Sequence, residues 1–324
     1  MEFIGLTADT LRSPAVLLFL LGLIASIGKS DLRFPESLSQ ALGIYLIMAI
    51  GFKGGVELTR HQIGSEAIAL ILVGVLFSFA LPFLIYAVIP LFSKSIKQVD
   101  RISISAHYGS VSLVTFITAT SFLESQNVPY EGYFVVLLTL METPAILSAL
   151  YMYSKAEKNQ TERIPLAYHL RHVLFAGSSF LLIGSFVVGF LSGGKGAVAM
   201  YGFLNAPFQG LLAFFLLDMG LVTGRQLITT KDYNRKLLAL GLFLPLLQGL
   251  LGLLAGAALG LDVGDQTLLA VLTASASYIV VPAAMRMSLP EANHGLAITL
   301  ALGITFPFNI IFGIPLLYWL AGIL

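Results

Sequence analysis

The sequence predicts an all-α membrane protein, and its composition and the spacing of its apolar residues lead to that fold class. Of the 324 residues, 57% are hydrophobic and only 11% are charged, whereas soluble domains carry about 25% charged residues. The mean hydropathy is +0.90. The apolar residues fall into segments of about 20, the length that an α-helix needs to cross a bilayer.

Composition and motifs also exclude several classes of function. A net charge of +1 argues against a nucleic-acid partner. The chain has no cysteine, so it can form neither a disulfide nor a thiolate metal site. It contains no nucleotide-binding, zinc-protease or nucleophile-elbow motif. We therefore expect neither an enzyme nor a resident cofactor, and the one rival in that class is a membrane enzyme that uses serine, His107 and Glu142.

Ten apolar segments are candidates for transmembrane helices, and the first of them is short. Pro82, Pro307 and Pro315 lie inside the third and tenth segments, where an interior proline predicts a bend. The predicted spans cover about residues 13–28, 38–57, 65–92, 104–123, 131–153, 171–191, 199–223, 236–260, 267–287 and 293–322.

The basic residues predict the orientation of these spans. Of the 18 lysines and arginines, 14 follow odd-numbered spans, and basic loops stay in the cytoplasm. Both termini are therefore expected outside, in a multi-pass protein of the cytoplasmic (inner) membrane.

The two halves of the chain repeat the same order of features. The segment IMAIGFKGGVELT (47–59) is similar to LLDMGLVTGRQLI (216–228), and each half continues with a serine-rich span and a Val-Pro or Leu-Pro turn. Five spans per half is an odd number, so the halves must have opposite orientations in an inverted repeat. Chance recurrence of Gly, Ser and Pro is the alternative. The predicted units are residues 1–153, a cytoplasmic linker at 154–170, and residues 171–324.

Two serine-rich stretches interrupt apolar spans at corresponding places, HYGSVSLVTFITAT (107–120) and TASASYIVVPAAM (273–285). Matched interruptions of this kind mark the substrate site of secondary transporters. The free N–H groups at a half-helix start bind anions, and serine hydroxyls add donors. The alternative is that the serines only bond to neighbouring helices. The predicted anion-binding residues are Gly109, Ser110, Ser112, Ser275, Ala276 and Ser277.

A cation site is predicted around Glu142, which lies in the middle of a span in LMETPAIL. Pro144 frees backbone carbonyls one turn earlier, and carboxylate and carbonyl oxygens suit a small hard cation. A structural, helix-paired Glu142 is the alternative. Ser105 and Thr305 are the hydroxyls expected to complete the site. His107 is interpreted as a group that bonds to the broken helix, with proton coupling as the alternative.

Other charged and small residues in the spans have structural interpretations. Lys53 and Glu57 are four residues apart and are expected to pair on one helix. Glycines at helical spacing favour close helix contact. They are Gly51, Gly54, Gly55, Gly252, Gly256 and Gly260.

These motifs together resemble the sodium-dependent bicarbonate transporter family. The family's fourth segment reads G-x-V-S-G-S, which Gly109, Val111 and Ser112 match, and its M-D-I-P-A is present here as METPA (141–145). The other similar stretches are IGFKGGVEL (50–58), LESQNVPYEGY (123–133), TASAS (273–277) and LPEANHG (289–295).

The resemblance implies ten helices in a five-plus-five inverted repeat with two discontinuous helices, divided into core and gate domains. It also implies sodium-coupled bicarbonate uptake, an elevator-type movement and a homotrimer. Some positions depart from the family. Glu142 replaces an aspartate, and the second serine-rich stretch has Tyr278, Val280 and Val281 where the family is polar. The linker is shorter than in members that dock a PII-like signalling protein, which argues against that partner.

The sequence therefore predicts a sodium:bicarbonate symporter. Coupling to protons, or a different small anion such as a monocarboxylate, is the alternative within the same class.

Overall fold

The computed structural model describes residues 2–59, 64–156, 177–229 and 235–324, and within these ranges every regular element is helical. Most of the predicted linker at 154–170 lies outside the described residues. The first half contains α1 (Glu2–Arg12), α2 (Pro14–Ile27), α3 (Glu36–Leu58), α4 (Ser65–Phe92), α5 (Gln98–Gly109), α6 (Leu113–Ser125), α7 (Phe134–Leu140) and α8 (Glu142–Ala156).

The second half begins with longer helices and ends in one continuous helical segment, His294–Ala321, that alternates between α- and π-helical turns. We call this segment the last rod. The elements of the second half are α9 (Gly177–Leu204), α10 (Phe208–Thr229), α11 (Arg235–Ala258), α12 (Val263–Ala274), α13 (Val280–Ser288), α14 (His294–Ile298), π1 (Thr299–Thr305), α15 (Phe306–Phe308), π2 (Asn309–Gly313) and α16 (Ile314–Ala321).

Eight helical segments in the described ranges are long and apolar enough to cross a membrane, which confirms a multi-pass membrane protein. A ninth span results if α1 and α2, which meet at an angle of 65°, are counted together. At two of the predicted spans, 13–28 and 267–287, the structure has helices shorter than the predicted span. The first corresponds to the 14 residues of α2, and the second is divided between α12 and α13, of 12 and 9 residues. The count of ten remains a prediction at these places.

The prolines do not end the helices that contain them, and the predicted bends stay predictions. Helix α4 continues through Pro82 and Pro90. Around Pro307 and Pro315 the last rod adopts π-helical turns. A π-turn shifts backbone bonding to the fifth residue, so it accommodates a ring that lacks an N–H.

The helices pack as two layers. Helix α2 packs along α10 and α3 packs along α9, and α3 also contacts α10; we call these four helices the four-helix layer. The other layer is built on α4, α5 and α8 and on α11, α12 and the last rod, with α11 packed against α4. Helix α6 belongs to the same layer, because it contacts α12. Helix α7 contacts α4 and α8 of this layer and also α3 and α9 of the four-helix layer.

Glycines allow the close packing within the layers, as the sequence predicted for five of six positions. A Cβ at Gly55 would lie 2.0 Å from the carbonyl oxygen of Phe186, and one at Gly252 would lie 2.2 Å from Thr273. The prediction was wrong for Gly260. Among the described residues, no atom beyond Gly260 and its chain neighbours lies within 4 Å of its would-be Cβ. Its φ of +69° places it at a left-handed turn after α11, where glycine is favoured for its backbone.

Candidate anion and cation site

The two interrupted stretches meet inside the larger layer. Helix α5 ends at Gly109 and α6 begins at Leu113, while α12 ends at Ala274 and α13 begins at Val280. The backbone N–H of Ser112 donates to Oγ of Ser275 at 2.8 Å. The backbone N–H of Ser277 donates to the carbonyl oxygen of His107 at 2.8 Å. Each break therefore satisfies backbone groups of the other.

The two helices that lead into the breaks end in nearly the same way. Helices α5 and α12 both have 12 residues. Each is followed by a serine in extended conformation, Ser110 with φ −94° and ψ 178°, and Ser275 with φ −90° and ψ 168°. The matched polar interruptions that the sequence pattern predicted are thus present as matched helix ends.

Serines also lie at the starts of the two helices that follow the breaks. Oγ of Ser112 accepts from the backbone N–H of Thr115 at 3.3 Å and from its hydroxyl at 2.9 Å. Oγ of Ser277 accepts from the N–H of Val281 at 3.4 Å. The first N–H groups of a helix have no partner within the helix, and they carry the positive end of its dipole.

A small cavity lies at these two helix starts. Its volume of 20 Å³ has room for about one water molecule. It brings together Ser112 and Ser277 from the predicted anion set and Glu142 from the predicted cation set. The lining residues are Val111, Ser112, Leu113, Glu142, Ser178, Ser277, Tyr278, Ile279 and Val280.

Glu142 is the first residue of α8 and is 8% exposed. Its Oε2 accepts the hydroxyl of Ser179 at 2.8 Å, and Ser179 belongs to α9 in the four-helix layer. The hydroxyl of Ser78 donates to the carbonyl oxygen of Met141, at the turn between α7 and α8. The carboxylate therefore links the two layers, a contact between residues 37 positions apart that no sequence pattern indicated.

The remaining residues of the predicted anion set are buried beside the cavity but do not line it. Oγ of Ser110 has no hydrogen-bond partner within the described residues. Ser275 uses its hydroxyl on Ser112 and on the carbonyl oxygen of Leu272 at 2.8 Å. Gly109 is explained by packing, because a Cβ there would lie 2.3 Å from Pro82.

The two hydroxyls predicted to complete the sodium site do not line the cavity either. Ser105 donates to the carbonyl oxygen of Arg101 at 2.7 Å. Thr305 donates to the carbonyl oxygen of Gly241 at 2.7 Å, and its Oγ1 lies 2.6 Å from the hydroxyl oxygen of Tyr108. As sodium ligands, Ser105 and Thr305 stay predictions.

His107 is fully buried, and Nδ1 of its ring lies 2.8 Å from the carbonyl oxygen of Ser103. Its own carbonyl oxygen accepts from Ser277. Both contacts agree with the preferred interpretation, in which His107 bonds to the broken helix. Its Nε2 has no partner in the described part of the chain.

Two amide side chains that the sequence analysis missed hold the ends of the half-helices. Nε2 of Gln248 donates to the carbonyl oxygen of Tyr108 at 2.6 Å, near the end of α5. Nδ2 of Asn309 donates to the carbonyl oxygen of Ala274 at 2.8 Å, at the end of α12. A single amide within an apolar span was the available signal, because polar groups in a bilayer interior are costly.

Two aspartates that the sequence analysis also missed lie at the other ends of the same half-helices, away from the breaks. Each is the third residue of its helix. Oδ1 of Asp100 accepts from the backbone N–H of Asn293 at 2.7 Å, and Oδ1 of Asp265 accepts from that of Glu131 at 2.8 Å. Tyr133 also donates to Asp265 at 3.2 Å.

The apolar helices and the buried meeting point of two interrupted helices define a multi-pass membrane protein of the secondary-transporter class. The chain belongs to the Na+-dependent bicarbonate transporter superfamily, whose sequence model matches residues 14–322. The match covers nearly the whole chain and confirms the family that the motifs predicted. No curated protein matches the sequence significantly.

Proposed function

We propose that the protein couples the inward movement of sodium to the uptake of bicarbonate across the cytoplasmic membrane. The observation that carries the proposal is the cavity in which the starts of α6 and α13 meet the Glu142 side chain. Two helix starts favour an anion, and a carboxylate favours a cation. Their meeting places groups suited to each ion side by side, and the 20 Å³ cavity would have to widen to admit both ions.

Electrostatics supplies the coupling. An ionised Glu142 would repel a second anion placed at the same helix starts, since like charges a few ångström apart interact strongly in a poorly solvated site. A sodium ion bound to Glu142 offsets that repulsion and adds attraction. Each ion therefore raises the affinity for the other by the same factor, and the sodium gradient drives the anion inward.

The two halves are proposed to form a ten-helix inverted repeat. The equal lengths of α5 and α12, the matched serines after them and the matched aspartates at their third positions support this assignment. The four-helix layer would be the gate and the larger layer the core, with an elevator-type movement between them. A homotrimer with both termini outside completes the proposal.

A small monocarboxylate is the second candidate substrate. Ile279 and Val280 line the cavity beside Tyr278, and the ring of Tyr278 lies edge-on to Phe306 with centroids 5.5 Å apart. These apolar groups offer few hydrogen bonds to the three oxygens of bicarbonate, and they would accommodate a methyl or ethyl group.

Uptake into proteoliposomes tests the proposal. Labelled bicarbonate should accumulate with an inward sodium gradient and not with lithium or potassium gradients. Excess acetate, propionate, pyruvate, nitrate and sulfate serve as competitors. Transport of a monocarboxylate without transport of bicarbonate would favour the second candidate. Uptake that follows a proton gradient in the absence of sodium would refute sodium coupling.

Glu142→Gln is the matched test of the cation site. The variant keeps an oxygen acceptor for Ser179 and loses the charge. Sodium dependence should weaken, with Ser179→Ala as the control that removes only the hydrogen-bond donor. An unchanged sodium half-saturation in Glu142→Gln would remove this side chain from the cation site.

A further inference from the structure

A second and larger cavity separates the two layers where α3 and α6 end. Its volume is 330 Å³. Lysine, glutamate and tyrosine side chains line it between α3 and α9 on one side and α6, α7 and the turn before α7 on the other. The bias of the basic residues predicts that this face of the molecule is external.

One ion pair crosses this cavity. Nζ of Lys53, on α3, lies 3.6 Å from Oε1 of Glu124, in the last turn of α6. The sequence had predicted Glu57, one turn along α3, as the partner of Lys53. The Lys53 ammonium also lies 4.1 Å from the ring centroid of Phe208 at the start of α10. Lys53 is thus fixed to the four-helix layer, and its contact with Glu124 reaches the other layer.

Glu124 is correspondingly fixed to the larger layer. The hydroxyl of Tyr130 donates to Oε1 of Glu124 at 3.3 Å. The turn that contains Tyr130 is anchored on α12, because the N–H of Glu131 donates to Asp265. Each partner of the ion pair is therefore held on its own layer, and relative movement of the layers must lengthen the distance between Nζ and Oε1.

We propose that Lys53 and Glu124 form an external latch that stabilises the arrangement of the two layers described here. The layers also touch at the wall of this cavity, where a Cβ at Gly132 would lie 2.4 Å from the carbonyl oxygen of Gly54. The charge attraction of the pair therefore adds to this close packing and stabilises the closed arrangement. The side chains of the pair are 19% and 36% exposed, which allows water to solvate both groups once the pair separates. The latch can therefore open reversibly.

The latch rests on the proposed relative movement of the layers, but its test does not require transport. The natural chain has no cysteine, so one introduced thiol is the sole labelling site. Ala197→Cys places a thiol in the wall of the cavity on α9. The rate of reaction with a membrane-impermeant maleimide, in sealed vesicles, then reports how often the cavity opens.

Glu124→Gln in the Ala197→Cys background should speed labelling by up to about fivefold, as expected for loss of a partly exposed ion pair. The charge swap, Lys53→Glu with Glu124→Lys, should bring the rate back toward that of the parent. High salt should speed labelling of the parent more than that of Glu124→Gln, because salt screens the pair. The control thiol, Asp262→Cys, lies in the exposed turn before α12. It should react at the same rate whether it is combined with the natural Lys53 and Glu124, with Glu124→Gln or with the charge swap.

An unchanged rate in Glu124→Gln would overturn the latch. So would a charge swap that labels as fast as Glu124→Gln, because the two side chains would then act separately. If labelling responds as expected while bicarbonate uptake is absent, the latch stands and the proposed substrate fails. Loss of uptake in Glu124→Gln with unchanged labelling would place Glu124 in transport without a latch.

Discussion

Ser275 is a predicted anion ligand that also has a structural role, and Ser275→Ala is predicted to destabilise the protein. Its hydroxyl oxygen is the acceptor for the backbone N–H of Ser112 at 2.8 Å. Both serines are buried, so water cannot easily replace the lost acceptor. The carbonyl oxygen of Leu272 keeps the backbone N–H of residue 275 as a donor at 3.2 Å. The variant therefore leaves one buried N–H unsatisfied.

Leaving the N–H of Ser112 unsatisfied should lower the free energy of unfolding by about 1–3 kcal/mol. Ser277→Ala should cost less, because its hydroxyl accepts only the long 3.4 Å bond from Val281. Ser110→Ala should cost least, because its Oγ has no partner in the described residues. The expected order of destabilisation is Ser275, then Ser277, then Ser110.

Equilibrium unfolding in mixed micelles, titrated with a denaturing detergent, measures this order. Ser110→Ala is the matched control, since it removes the same atom from the corresponding position of the other break. Equal unfolding free energies for Ser275→Ala and Ser110→Ala would refute the argument that the two breaks support each other. Weaker anion binding by Ser110→Ala at unchanged stability would assign its free hydroxyl to the substrate.

Three further predictions concern single substitutions. Glu142→Gln should raise the sodium concentration for half-maximal uptake about tenfold, as expected when a charged ligand becomes neutral; sodium-dependent uptake measures it. Asp265→Ala should lower the unfolding free energy by about 1–3 kcal/mol, and by more than Asp100→Ala because Asp265 also accepts from a tyrosine; detergent titration compares them. Gly109→Ala should lower it by about 1–3 kcal/mol by overpacking against Pro82, which the same titration detects.

The breaks could be predicted from the sequence because membrane helices have a simple physical rule. Backbone groups in lipid need partners, so a serine-rich interruption of an apolar span indicates irregular backbone buried in protein. The positions at Ser110–Ser112 and after Ala274 agree with the structure. The length of the second break was not predictable, because tertiary bonds, such as the one from Ser277 to His107, determine where the next helix begins.

The candidate site was only partly predictable, because its contacts join distant parts of the chain. Glu142 and Ser112 could be selected individually as polar residues inside spans, and the structure brings both to one cavity. The Ser179 contact had no local signal. Lys53 illustrates the same limit, since local spacing favoured Glu57 whereas the fold places Glu124 at 3.6 Å.

Several polar contacts cross the boundary between the layers, beside an apolar cluster to which Phe19 of α2 and Phe306 of the last rod both belong. The polar contacts include Lys53–Glu124, Ser121–Gln209, Ser179–Glu142 and Gln226–Thr299. Water can replace such contacts at little enthalpic cost, whereas interdigitated apolar side chains lose their packing when they slide. Glu142 is distinct among these groups because it also lines the cavity at the two helix starts. A sodium ion there would compete with Ser179 for the same carboxylate, so ion binding would weaken one of the contacts that hold the layers in register.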